Sequence, residues 1–280
     1  MNIQSPVILV NTAEYKDEQR RTDFDKVVFE QPLLVLLSFE GSSEITRYTI
    51  TMRTPGDDEA LIVGLLLAEG IIRKPTDILS IGPNQEEQYG HGNTWLVDLK
   101  VQCQARVEST LTYMQTYSSC GLCGNTSINS IEKKHPPSIS DKKAWLNPCI
   151  LPSMLQQLNE QQNLFSATGG VHGAGLFDKD GRCFLVKEDI GRHNALDKVF
   201  GAAFEAEYPI ASTESIVVLT SRVSYEMVQK SVMSGVCVIV ALGAVSSLAI
   251  QAATKFDITL IGFAKNNRFV VYHADWRINK

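Results

Sequence analysis

Cysteine is scarce in this chain, with six in 280 residues, too few for a disulfide scaffold. The opening stretch, MNIQSPVILVNTAEYKDEQRR, lacks a basic start followed by an apolar run. No signal peptide is therefore expected, and a reducing, cytoplasmic setting is. There is no basic surplus: 26 Lys and Arg stand against 31 Asp and Glu, a net charge of -5. That argues against a nucleic-acid coat and leaves room only for a local anion pocket. One charge-free run, residues 231–254, has the length of a membrane helix. Its centre, VCVIVAL at 236–242, is short and β-branched, and Gly235 and Gly243 bracket it. Ser246 and Ser247 then open a helix-like stretch. Strand, turn and helix account for the run, so no membrane span is expected. A hydrophobic fraction of 44% supplies ample core for one large domain or two modest ones.

Residues 27–39 and 45–52 read as strands around a turn at 40–43. The turn Pro55-Gly56-Asp57-Asp58 offers acidic capping side chains to an apolar helix over 59–70, stopped by Gly70. Strands are expected at 77–82 and 94–101. This gives a small α+β domain over residues 1–117. Residues 118–150, with a C-x-x-C, EKKHPPSISDKK and Pro148, read as an exposed, mobile crossover. The remainder, 151–280, alternates. A helix around 152–164 precedes a hairpin of 173–178 and 182–187, and helices then lie at 193–207, 225–234 and 246–255. Strands are expected at 215–220, 236–242, 258–263 and 268–273. The fold class is α/β (α+β), with a layered second domain on a partly parallel, mixed sheet.

Cys120-Gly121-Leu122-Cys123-Gly124 is the sharpest local signal. Flanking glycines free the backbone to present a thiol, and the thiolate is the reactive form. Four readings stay open on the residues alone: a structural zinc, a redox pair, a nucleophilic Cys120 assisted by Cys123, and two unremarkable loop cysteines. Zinc would need about four ligands, and no second pair stands at a convincing spacing, so no zinc is expected.

Further candidates fall between expected strands and helices. His172 sits in the Gly-rich TGGVHG. Arg192 and His193 end the run Glu188–Asp189–Ile190–Gly191 at a helix start, where backbone N–H groups can meet an anion and Lys198 could add charge. Ser221, Arg222 and Ser224, with Thr220, follow the next strand, as hydroxyl donors and a phosphate-type fork. Phe263, Ala264, Lys265, Asn266, Asn267 and Arg268 link the last two strands, and an aromatic with two cations suits a nucleotide. The bland alternatives are helix caps, a structural histidine and a plain hairpin turn. Ligands collect at the carboxyl ends of parallel strands. The loops at 188–194, 220–224 and, if its strand runs with theirs, 263–268 would then share one edge.

Taken in order, RTPGDDEALIVGLLLAEGII, SSCGLCG, TGGVHGAGL, EDIGRHNALDKVFG, TSRVSYEMVQK and GFAKNNRFVVY cover most of the chain. Together they resemble the formate dehydrogenase accessory sulfurtransferases, the FdhD family. The resemblance implies a carrier that takes sulfur from a cysteine desulfurase as a Cys120 persulfide. It implies transfer to the Mo-bis(molybdopterin guanine dinucleotide) cofactor, bound as a substrate, for formate dehydrogenase. It places the cofactor stretch on 263–268, where Asn266-Asn267 stand in a turn that often contains glycine, and it makes GDP a minimal mimic. A homodimer is expected; a nucleic-acid or membrane partner is not. The resemblance also implies a cytidine-deaminase-like, three-layer α/β/α second domain. The corresponding helix starts here read His193-Asn194-Ala195 and Ser221-Arg222-Val223-Ser224, without the glutamate and cysteines that deaminase zinc chemistry requires. Two rival classes are a cofactor chaperone that handles no sulfur and a thiol redox regulator.

Overall fold

A computed structural model describes residues 5–16, 19–84, 92–118, 131–132, 134–210, 214–265 and 268–279. Four strands form the first main sheet: β3 (Gln31–Phe39), β4 (Thr46–Arg53), β5 (Ile78–Pro83) and β6 (Thr94–Leu99), in the order β4-β3-β6-β5. The run Leu33-Leu34-Val35-Leu36-Leu37 is buried on both faces, as its unbroken apolar composition requires of a central strand. Helix α1 (Asp58–Ala68) covers one face of this sheet. Its N-cap, Asp57, is left-handed at φ 54° and makes no capping hydrogen bond. The expected acidic cap is thus corrected: Asp57 pairs with Lys187 at 2.6 Å, and Asp58 pairs with the buried Arg53 at 2.8 Å.

Two elements lie outside the sequence expectations. Strands β1 (Val7–Lys16) and β2 (Gln19–Val28) form a separate two-stranded ribbon, so the strand expected over 27–39 is two strands. Helix α2 (Gln104–Ser118) follows a 3-10 turn, Val101–Cys103.

The second sheet has six strands: β7 (His172–Phe177), β8 (Cys183–Asp189), β9 (Ile216–Leu219), β10 (Val238–Ala241), β11 (Thr259–Lys265) and β12 (Arg268–His273). Their order is β12-β11-β10-β9-β7-β8. Strands β9, β10 and β11 are parallel, and β7 runs against both β8 and β9. Hence β8 points the same way as β9, β10 and β11, and their carboxyl ends lie along one edge. The charge-free run is resolved as expected. It contains β10 between α6 (Tyr225–Ser234) and α7 (Ser247–Lys255). No helix among the described residues is long and apolar enough to cross a membrane.

Alternation along β9 sorts the core. Ile216 and Val218 face α3 (Leu151–Glu160), which the short α4 (Asn163–Thr168) follows, while Val217 and Leu219 face α6, α7 and α5 (Arg192–Glu205). The second half is therefore three layers, helix on sheet on helices. The upper cluster continues through α5 into α1 and the first sheet, so one apolar core joins both halves. The α1–α5 seam is very close: a Cβ on Gly64 would strike the Asp197 carbonyl, and one on Gly201 would strike the Ala60 carbonyl. Part of the crossover segment is anchored to the second half. Leu146 is fully buried and bridges to Ile278, and Ser140 O accepts from both Nε and Nη2 of the buried Arg277.

Candidate functional site

The second sheet brings the loops after β8, β9, β10 and β11 to a single edge. Strand β7 begins there, because it is reversed, and β12 also begins there. The loop after β8 is fixed by a buried polar network. Asp189 pairs with Lys198 at 2.7 Å, with side chains 0% and 2% exposed. Asp189 also accepts from Thr54 N, Gly191 N and Asn194 Nδ2. Lys198 Nζ donates to Thr54 O and Glu188 O, and Ile190 N donates to Thr54 Oγ1. Every lone pair and proton of the pair thus has a use, which a buried ion pair requires. The expectation that Lys198 adds charge to an anion site is corrected: its ammonium is spent inside the network.

That network sets the start of α5, whose N-cap, Gly191, supplies no side chain to the helix end. Arg192 follows, with its Nε enclosed and without an acceptor among the described residues. His172, at the first position of β7, lies opposite Asp189 in register. Its imidazole is held below its ordinary pKa, first by burial, then by the charges of Arg192 and Arg222. The three residues, expected from separate segments, are therefore brought into mutual electrostatic range.

At the start of α6, His193 Nε2 lies 3.1 Å from Glu226 Oε2 and 3.4 Å from Ser224 Oγ. The His193 hydrogen bond is the main reason that the Glu226 carboxyl is held down to about 2. Glu226 was not among the expected residues. Its signal was its place in the first turn of the helix, two residues after the N-cap Ser224. Several expected donors are committed within the fold. Thr220 Oγ1 accepts from Gly173 N, Ser221 Oγ donates to Arg222 O, and Ser224 Oγ donates to Glu226. Arg222, beside them, is exposed.

The next loop, residues 242–246, was missed by sequence reasoning. Val223 N donates to Ala244 O and Phe263 N donates to Gly243 O, so this loop ties the β9 and β11 ends together. A Cβ on Gly243 would sit 2.8 Å from Ser221 O, so only glycine lets the backbones close. Phe263 takes φ 51° and is 41% exposed at a break in the β11–β12 register. Lys265 and Arg268 are opposite one another and exposed. Ala264 is different, with its methyl buried in the lower core, so only its backbone reaches the edge. Asn266, Asn267, Cys120 and Cys123 lie outside the described residues. Among the described residues no group of three or more His, Cys, Asp or Glu side chains could hold a metal ion.

The edge thus presents uncapped helix N–H groups, three arginines, a lysine and an exposed aromatic ring, a set that can receive an anionic ligand with a ring system. The model of the FdhD/NarQ family matches residues 33–279 of the chain. This chain belongs to that family. It is 36% identical over 265 residues to the sulfur carrier protein FdhD of Corynebacterium efficiens, covering 90% of each chain. It is 37% identical over 241 residues to the protein of that name from Mycobacterium tuberculosis, covering 83% of this chain and 86% of the other. Among solved structures it resembles a protein from Desulfotalea psychrophila assigned as a formate dehydrogenase accessory protein. The TM-score is 0.74 at 23% identity, covering 98% of this chain and 100% of the other. That likeness bears on the fold, an α+β architecture of helices and mixed sheets.

Proposed function

We propose that this chain is a sulfur carrier that supports formate dehydrogenase. In this reading it works in the cytoplasm, holds sulfur as a Cys120 persulfide and passes it to a bis-molybdopterin guanine dinucleotide substrate. Its relatives carry the name of sulfur carrier, and the D. psychrophila protein that of a formate dehydrogenase accessory. The observation that supports the acceptor half is the meeting of His172, Arg192 and Arg222 at the edge where Phe263, Lys265 and Arg268 also stand.

Uptake is a displacement. The Cys120 thiolate attacks the outer sulfur of a persulfide on a cysteine desulfurase. A new S–S bond forms on Cys120, the donor's S–S bond breaks, and the donor cysteine leaves as a thiolate. No external oxidant or reductant is needed. Cys123 assists by lowering the Cys120 pKa or by resolving the persulfide. On the acceptor side, arginine forks and helix N–H groups hold phosphates and Phe263 packs on a guanine ring.

Mass spectrometry of the full chain after incubation with a cysteine desulfurase and cysteine tests the carrier half. A gain of one sulfur atom, lost in Cys120→Ala together with formate dehydrogenase maturation, is expected. A Cys120→Ala protein that still supports full enzyme activity would sink the reading.

A further inference from the structure

Away from the strand-end edge, a groove of about 510 Å³ opens between the segment before β5 and the start of α2. It is lined by Arg73, Lys74, Asp77, Gln102 and Arg106, three cations against one carboxylate in a chain whose net charge is -5. The carboxylate is already used. Asp77 is 1% exposed and accepts from Arg73 N at 2.9 Å, Gln102 Nε2 at 2.7 Å and Arg106 Nη2 at 3.5 Å. Arg106 Nη2 also donates to Cys103 Sγ at 3.0 Å, and its Nε is enclosed without an acceptor among the described residues. The side chains of Arg73 and Lys74 are exposed.

We propose that this groove docks an acidic segment of the protein that donates sulfur to Cys120. The inference rests on the carrier reading above and adds the surface on which the donor is held. Three observations carry it. The groove has surplus positive charge: its lining sets Arg73, Lys74 and Arg106 against Asp77, which pairs with Arg106. Two apolar residues adjacent in the chain to its lining are also exposed, Val101 beside Gln102 at 59% and Leu79 two residues past Asp77 at 45%. A small anion has no use for exposed apolar side chains nearby, whereas a protein partner can cover them. Finally, Arg106 lies in the first turn of α2, and that helix of 15 residues ends at Ser118, two positions before Cys120. The helix is roughly 22 Å long at 1.5 Å per residue, less than the roughly 30 Å diameter of a small domain. A donor seated on the groove therefore spans the distance to Ser118, the last described residue before Cys120. The strand-end edge, with its own arginines, remains free for the acceptor.

Charge complementarity of this kind acts mainly on encounter and is weakened by salt. The experiment compares two sulfur donors, a cysteine desulfurase with cysteine, and inorganic polysulfide. It reads the rate of sulfur gain on Cys120 by mass spectrometry of the full chain. Arg73→Glu/Lys74→Glu should load at least tenfold more slowly from the desulfurase and lose the salt dependence of the unsubstituted protein. It should load from polysulfide at the unchanged rate and bind GDP as before. Arg73→Gln/Lys74→Gln, a gentler change for the fold, should be slowed to an intermediate degree. Equal desulfurase rates in all three proteins would overturn the docking surface, and so would an equal loss with both donors. If the unsubstituted protein gained no sulfur from either donor, the carrier reading itself would fall, and the docking surface with it.

Discussion

Asp189 and Lys198 form an ion pair of 2.7 Å that is almost wholly removed from solvent. Its remaining hydrogen-bonding groups are taken up by Thr54, Glu188, Gly191 and Asn194. Thr54 belongs to the first half of the chain and the other five residues to the second. The loop that presents Arg192 and His193 is therefore held by both halves at once.

Removing one charge of this pair should be costly. Asp189→Asn leaves the Lys198 ammonium buried without its counter-ion, a loss of about 3–5 kcal/mol. Urea unfolding should show a matching fall in the midpoint. GDP affinity should fall as well, since the start of α5 loses its anchor. A variant as stable as the unsubstituted protein would mean that the pair contributes nothing.

His172 offers a pH readout. Its imidazole is held below 6.5 by burial first, and then by Arg192 and Arg222. A depressed histidine stays neutral in the fold while the unfolded chain takes up a proton. Its contribution is full above pH 6.5 and is lost as pH falls through the folded value. NMR titration should find a midpoint under 6.5 that rises in Arg222→Gln and rises again on adding GDP, whose phosphates offset the arginines. His172→Asn should flatten the stability slope below pH 6.5. A midpoint indifferent to Arg222 would contradict the arrangement.

Calorimetric titration with GDP addresses the β11–β12 end. Charge-assisted hydrogen bonds to phosphate are worth about 1.5–3 kcal/mol when well formed. Arg268→Ala should weaken binding by roughly tenfold or more. A folded Lys265→Ala/Arg268→Ala protein that binds GDP unchanged would leave only a hairpin with two solvated cations.

The helix seam predicts a contrast between glycines. Gly201→Ala drives a methyl into the Ala60 carbonyl and should cost about 3 kcal/mol or force the helices apart. Gly82→Ala meets nothing within 4 Å and should stay within about 0.5 kcal/mol of the unsubstituted protein. Equal thermal melts for the two would contradict the close approach.

Most of the second half was legible because each signal is local. VCVIVAL, short, β-branched and bracketed by glycines, reads as a buried strand, and glycines marked where helices stop. The strand-end loops followed from strand direction, which alternation and connection length already constrain. What was illegible depends on distant partners. Lys198 on a helix looks the same in sequence whether it faces a ligand or Asp189. The pairing with Thr54 spans 144 residues for Lys198 and 135 for Asp189. The ribbon β1–β2 was hidden because QRRTDFDKVV has too many charges to read as a strand, and its burial pattern shows why, with eight of ten residues exposed. Gly243 was read as a strand end, when its lack of a side chain is what lets three loops close.

The seam between α1 and α5 also bears on the order in which the protein can fold. The hydrogen bonds beside it, from Thr54 just before α1 to Asp189 and Lys198, join residues 135 and 144 positions apart. Each doubling of such a separation adds only about 0.6 kcal/mol of closure entropy, so the distance itself is a small barrier. The larger matter is timing. Helix α1, buried on nearly every side once α5 has docked, is made long before its partner leaves the ribosome. In that interval the face of α1 that α5 later covers is open to water and to neighbouring chains. The nascent first half is thus the stage most exposed to aggregation, and the one for which a chaperone would matter most.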